Sequence, residues 1–314
     1  MASALAVGMD RGCTEIDILK AFVIGFEVGT TMGDEVGLRL AAGGWHPTGT
    51  LGHFSATAAA AVLLKLTPGQ TAHALGLAAT QCAGLQSSGG SMAKPFHVGK
   101  AAMNGIMSAE LALQGLEATT TLFDQERSGI LGSLLQEAIL PRFNSLGETW
   151  QILKNSFKPY AACQLTHSAF EVGKNAAPKF KREGLKKISV YVNPLAPQVA
   201  SRPRATTPME GKFSIRYCTA LGLHGYSAGQ EDFTDARIAE SELKELTELI
   251  DVVPDEAVER WASRLEITYT DGSVCSSTLE VVSGGPGRPL LWPDLNKKFL
   301  DSTLPCSANT PHRF

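Results

Sequence analysis

A chain of 314 residues with 44% hydrophobic and 19% charged residues is an ordinary globular polypeptide with room for two domains, neither disordered nor fibrous. Its formal net charge of −3 provides no general basic surface for nucleic acid, although a few local Lys and Arg side chains can still line a pocket for a small anion. No apolar run reaches the roughly 18–20 residues of a bilayer span, and Asp10 and Arg11 follow a short apolar start without a basic leader.

Residues 1–155 are predicted to be mostly helical. Ile16 to Gly29 carries apolar residues at helical spacing, and residues 54–66 are mostly Ala, Val and Leu. Thr67-Pro68-Gly69-Gln70 then opens another helix running to about Ala83, because proline is favourable in a first helical turn. So many Ala and Gly residues imply helices whose backbones approach closely.

The composition shifts after about Asn155. Lys187 to Val192 alternates as a half-buried strand does. Arg264 to Tyr269, then Asp271-Gly272, then Ser273 to Val282 reads as a hairpin, since Asp-Gly suits a turn whose central residues need positive φ. Helical stretches fall around 211–223 and 235–249. Gly284-Gly285-Pro286-Gly287 is a linker before a short helix from about Pro293 to Leu300, and no GK[ST] follows it, so it is not a phosphate loop. The fold class expected is multi-domain, α and α+β: a helical domain over 1–155, an α+β domain over 156–283 and a C-terminal segment over 284–314.

Six scattered cysteines, Cys13, Cys82, Cys163, Cys218, Cys275 and Cys306, form no CxxC pair and are expected to be reduced thiols in a cytoplasmic or mitochondrial protein that is not secreted. Cys163 and His167 are four residues apart and could share a helix face, but two ligands are too few for zinc; Cys163 is taken as a buried thiol rather than a nucleophile. No GxGxxG follows a strand and no HExxH or paired CxxC supplies a metal-ligand cluster, so neither a nicotinamide nor a metal is expected.

Three clusters carry titratable side chains beside or near Gly or Pro. His46 lies between Trp45 and Pro47, and the proline biases it away from helical angles. Such a histidine suits proton transfer, or is simply a satisfied structural group. Lys94 follows the Gly-rich Ser87-Ser88-Gly89-Gly90-Ser91, whose N–H groups could face an anion while the lysine adds a point charge, or the lysine is merely solvated. His97 is a partner lying behind such a site, a helix cap or a direct participant. Lys158 and Tyr160 flank Pro159 near the expected junction of the domains, where ligand clefts often form. Tyr191 and Tyr269 sit in strand patterns and are read as structural.

Gly44-Trp45-His46-Pro47-Thr48-Gly49-Thr50, Met92-Ala93-Lys94-Pro95-Phe96-His97, Lys158 to His167 (a KxYxxCxxTH pattern) and Lys212-Phe213-Ser214-Ile215-Arg216-Tyr217 resemble the MmgE/PrpD family, and the resemblance runs over nearly the whole chain. It implies an all-helical domain with a smaller α+β lid domain, and a C-terminal segment returning toward the helical part. It also implies a homodimer when the full helical domain is present. The activity implied is that of a metal-independent, cofactor-free lyase on a small citrate-derived tricarboxylate: a decarboxylase acting on cis-aconitate or, alternatively, a 2-methylcitrate dehydratase. An epimerase, or a truncated non-catalytic homologue pairing with a longer relative, is also compatible.

By the same resemblance His46, Lys94 and Tyr217 are catalytic, and Lys158, His97 and Tyr160 bind substrate. His46, Lys94 and Tyr217 are expected to converge in one cleft with Lys158 nearby. Family members begin with a further region that carries a DFDDxH-type segment. Here Met1 to Met9 already matches the helix after it and no Asp-Asp-x-His string occurs, so this chain alone is expected to bind such acids yet turn them over poorly.

Overall fold

The computed structural model describes residues 1–124, 126–139, 143, 146–200 and 202–307, without the side chains of Glu35 and of 304–307. The Cys306 side chain and the tail His312-Arg313-Phe314 lie outside the described residues. The chain divides into two compact units, Met1–Lys154 and the remainder from Asn155 on.

The first unit is helical: α1 (Ala2–Asp10), α2 (Glu15–Ala42), α3 (Pro47–Leu63), α4 (Pro68–Ala79), α5 (Ala93–Leu113) and α6 (Ile130–Leu135). Two starts are fixed by reciprocal caps. The Thr14 hydroxyl accepts from the Asp17 N–H while the Asp17 carboxylate accepts from the Thr14 N–H, and Thr67 and Gln70 repeat the arrangement at α4. Helix α3 is the centre, packed by α1, α2, α4 and α5, with Phe54 and Ala60 wholly buried.

The close approach foreseen from Ala and Gly content is present. A Cβ at Gly25 of α2 would lie 2.4 Å from the Ser55 carbonyl oxygen, and one at Gly105 of α5 would lie 2.5 Å from Ala56 Cβ. Helix α2 outruns the expected 16–29 segment because Met32, Val36 and Leu40, all buried, carry the same face on through a polar, Gly-interrupted stretch. Helix α4 ends at Ala79, before the expected Ala83.

The second unit contains α7 (His167–Ala176), β1 (Leu185–Val192), α8 (Leu195–Val199), α9 (Pro208–Gly211), α10 (Ile215–Leu223), α11 (Asp235–Ala239), α12 (Ser241–Leu249), β2 (Ile250–Pro254), β3 (Ser263–Tyr269), β4 (Val274–Leu279) and α13 (Trp292–Ser307). The sheet order is β2-β1-β3-β4, with β1 and β2 parallel and the other pairs antiparallel. The β3–β4 hairpin turns through Thr270-Asp271-Gly272, but only Gly272 has positive φ (+83°), so the tight turn expected with both Asp271 and Gly272 at positive φ is not the one formed; the Gly272 N–H donates to Tyr269 O and the Asp271 carboxylate accepts from the Ser273 N–H.

Ile188, Val190 and Val192 of β1 and Leu265 and Ile267 of β3 bury one face of the sheet against a helical layer that includes α7, α10 and α12. Strand β2 was not foreseen. It is a short edge strand directly after α12, and its Pro254 is tolerable only because an edge leaves one row of N–H groups unpaired. Among the described residues no helix is long and apolar enough to cross a membrane.

Candidate functional site

His46 occupies the N-cap of α3 in extended backbone, φ −83° and ψ 109°, with Pro47 at the first helical position. Its main chain is tied to a neighbouring segment: the His46 N–H donates to Gly84 O at 2.9 Å, and the Gln86 N–H donates to Gly44 O at 2.9 Å. Next to it the Trp45 indole N–H donates to Leu134 O at 3.0 Å. The turn is therefore held from both sides.

From this anchor the imidazole reaches His97 on the second turn of α5, Nδ1 to Nδ1, at 3.1 Å. Gly84, at φ +156°, makes the approach possible, since a Cβ there would stand 3.1 Å from His97 Nδ1. One Nδ1 donates and the other accepts, so the pair can hold one imidazolium and keep its bond, but not two. His46 is only 8% exposed. Burial, then the Lys94 charge, then His97, pull its pKa from 6.5 to about 4, so it is neutral near pH 7 in the unliganded protein.

Lys94 stands in the first turn of α5, entered through a single 3₁₀ turn at Gln86–Ser88 and the bend that follows. Helices α3 and α5 run parallel: His46 meets His97 near both starts, and His53 meets Asn104 further along both. Two helix N-termini, with their partial positive charge, thus lie at the same end as Lys94 and the histidine pair. That combination favours a bound anion. The sequence reading missed His53 and Asn104; the only signal was their helical phase, seven residues beyond His46 and His97.

The remaining sequence-derived residues lie in the second unit. Tyr217, in the first turn of α10, is 3% exposed and its hydroxyl donates to Asp232 O at 2.7 Å. Burial, with Cys218 and Asp232 adding to it, raises its pKa. The Tyr160 hydroxyl donates to Glu171 Oε1 at 2.9 Å, while Glu171 also accepts from Arg288 Nη1 at 2.7 Å and from the Ser283 N–H at 3.0 Å. Burial first, then Glu171, raises the Tyr160 pKa. The Lys158 carbonyl accepts from Lys298 Nζ, whose own pKa is lowered by burial and by the Lys158 charge.

Cys163 and His167 do not share one helix face, because a 3₁₀ turn at Gln164–Thr166 separates them. His167 is buried against the Tyr160 ring, centroids 5.1 Å apart, with its pKa lowered to about 3 chiefly by that burial. Tyr191 and Tyr269 have structural partners, Glu266 and the Lys181 N–H. His46, His97 and Lys94 are thus brought together in the first unit, while Lys158, Tyr160 and Tyr217 belong to the second. Among the described residues no group of three or more His, Cys, Asp or Glu is placed to hold a metal ion.

Comparison with known proteins adds to this geometry. The MmgE/PrpD N-terminal domain matches residues 1–139 and the MmgE/PrpD C-terminal domain matches residues 160–311. A cis-aconitate decarboxylase of Aspergillus terreus is 28% identical over 306 residues, covering 89% of this chain and 62% of that protein. The cis-aconitate decarboxylase of Homo sapiens is 24% identical over 317 residues, covering 95% of this chain and 64% of that protein. A cis-aconitate decarboxylase-like protein of Aspergillus oryzae is 30% identical over 227 residues, covering 66% of this chain and 47% of that protein. The chain spans less than two thirds of the length of these relatives.

Proposed function

The chain belongs to the MmgE/PrpD family, and from that footing we propose that it is a lyase acting on a citrate-derived tricarboxylate, in the manner of the cis-aconitate decarboxylases it is similar to. The observation that carries this reading is the His46–His97 pair beside Lys94 at the joint N-termini of α3 and α5. Lys94 and the two helix ends hold carboxylates of the acid. Burial, with the Lys94 charge adding to it, holds the His46 imidazole neutral, and the negative charge of the bound acid favours its protonation, so this imidazole takes up a proton as the acid binds.

The chemical step then balances simply. The C–C bond to one carboxylate breaks and CO₂ leaves. The electron pair passes into the adjacent unsaturated system, where the remaining carboxylates and their cations delocalise and offset the charge, and His46 returns its proton to carbon. His97 steadies the imidazolium through the shared Nδ1 proton. Tyr217, Lys158 and Tyr160 are assigned to the same chemistry by their motifs. A lid role for the second unit and a homodimeric assembly are family traits that accompany the assignment.

The test is direct product detection on the purified protein supplied separately with cis-aconitate and 2-methylcitrate. Decarboxylation of cis-aconitate is expected, however slow, unchanged by a chelator, and His46→Gln is expected to lower the measured rate by about 10²–10⁴-fold. Turnover of 2-methylcitrate alone would move the assignment to a dehydratase. Binding of neither acid would overturn it.

A further inference from the structure

Beneath the histidine pair, α3 and α5 meet a second time. His53 is wholly buried, with its Nδ1 3.2 Å from Thr50 O and its Nε2 3.2 Å from Asn104 Nδ2. These contacts assign the neutral tautomer that donates from Nδ1 and accepts at Nε2. Asn104 is itself buried; the Ser108 hydroxyl donates to its main-chain carbonyl, not to its side chain, at 2.8 Å, and Gln81 Nε2 donates to Ser108 Oγ at 3.0 Å. The upper and lower pairs share one register, since His46–His97 and His53–Asn104 are each separated by 51 residues.

Around this bond the interface is smooth. Gly105 packs onto Ala56 and Thr57, and Gly52 faces Ala101. Surfaces of Gly and Ala allow two helices close approach but resist sliding or rotation weakly, because few side chains interlock. A buried directional hydrogen bond supplies the missing register, as a buried polar residue does in coiled coils. Seven residues correspond to about 10 Å of helix axis, so a small rotation at the lower pair is carried to the upper one.

We propose that His53 and Asn104 are positioning residues, locking α3 against α5 so that His46 and His97 keep their shared-proton geometry. The proposal rests on the proton-transfer role given to His46, yet it makes a claim that is separable from catalysis. The side-chain contacts of His53 and Asn104 are with Thr50 O and with each other, so both act through the helices that carry His46, His97 and Lys94.

The experiment uses Asn104→Leu and the double variant His53→Leu/Asn104→Leu. The single change strands a buried imidazole nitrogen and lowers stability. The double change removes both polar groups and recovers much of the loss, so a folded protein without the register bond is in hand even if the single variant does not fold. Imidazole ¹⁵N resonances of His46 and His97 are read first, because they report the shared Nδ1 proton whether or not any acid is turned over. They are expected to shift in the double variant toward two separate neutral imidazoles.

On the turned-over acid, kcat is expected to fall about 10–100-fold with KM nearly unchanged, the signature of misplaced reacting groups. Unshifted His46 and His97 resonances in a folded double variant would overturn the proposal. Shifted resonances in a protein with no activity on either acid would instead sustain the positioning role and count against the reaction.

Discussion

Pro47 shapes the site from one residue away. It holds His46 in extended backbone and sits where α3 would otherwise carry an unpaired N–H. With burial and Lys94 this leaves His46 with a pKa of about 4, and burial leaves His167 at about 3, both below the ordinary 6.5. In this range the unfolded chain binds protons more readily than the folded one. Stability contributed by the neutral imidazoles is therefore present above about pH 6.5 and lost as the pH falls toward 4. His46→Gln is expected to lose less stability than the parent over that interval, measured by urea midpoints at successive pH values; parallel profiles would contradict the burial ascribed to this ring.

Much of this was legible at single positions. Pro47 marked His46 as held away from helical angles, and Lys94 was marked only as following a Gly-rich loop whose N–H groups could face an anion. The contact of His46 with His97 was not legible, because it spans 51 residues and two helices. Nor could spacing reveal that the Tyr160 hydroxyl is engaged by Glu171, or that Tyr217 donates to a main-chain carbonyl.

Among the elements, α3 and α5 decide the geometry, and glycine decides how near they come. A Cβ at Gly105 would lie 2.5 Å from Ala56 Cβ and 2.8 Å from the Thr57 nitrogen. Gly105→Val is therefore expected to lower stability by about 1–3 kcal/mol through overpacking, and to move His97 relative to His46. Chemical denaturation measures the first effect, and an unchanged midpoint would show that the helices part without cost.

Helical spacing and a first-turn proline made α2, α3, α4, α10 and the stretch of α11 and α12 readable from the sequence, whereas α5, which carries Lys94 and His97, was covered only by the general helical expectation for residues 1–155. The full length of α2 was hidden by the polar and glycine residues between Met32, Val36 and Leu40, whose shared buried face only packing reveals. The hairpin of β3 and β4 was announced by Asp271-Gly272, whereas β2 pairs in parallel with β1 across the intervening helices, a long-range partnership with no local signature.

The molecule as a whole consists of two compact units matching the two domains of one family, over less than two thirds of its curated relatives' length. The chemistry proposed for the first unit couples an anion to a proton: burial first, with the Lys94 charge adding to it, holds His46 neutral, and a carboxylate bound beside the ring favours its protonation. That coupling is measured most directly by calorimetric titration of the protein with cis-aconitate at pH 7, in buffers of different ionisation enthalpy. Uptake of up to about one proton per acid bound is expected, and it is expected to disappear in His46→Gln while binding persists. Binding without proton uptake, or uptake that survives His46→Gln, would contradict the role given to the histidine pair.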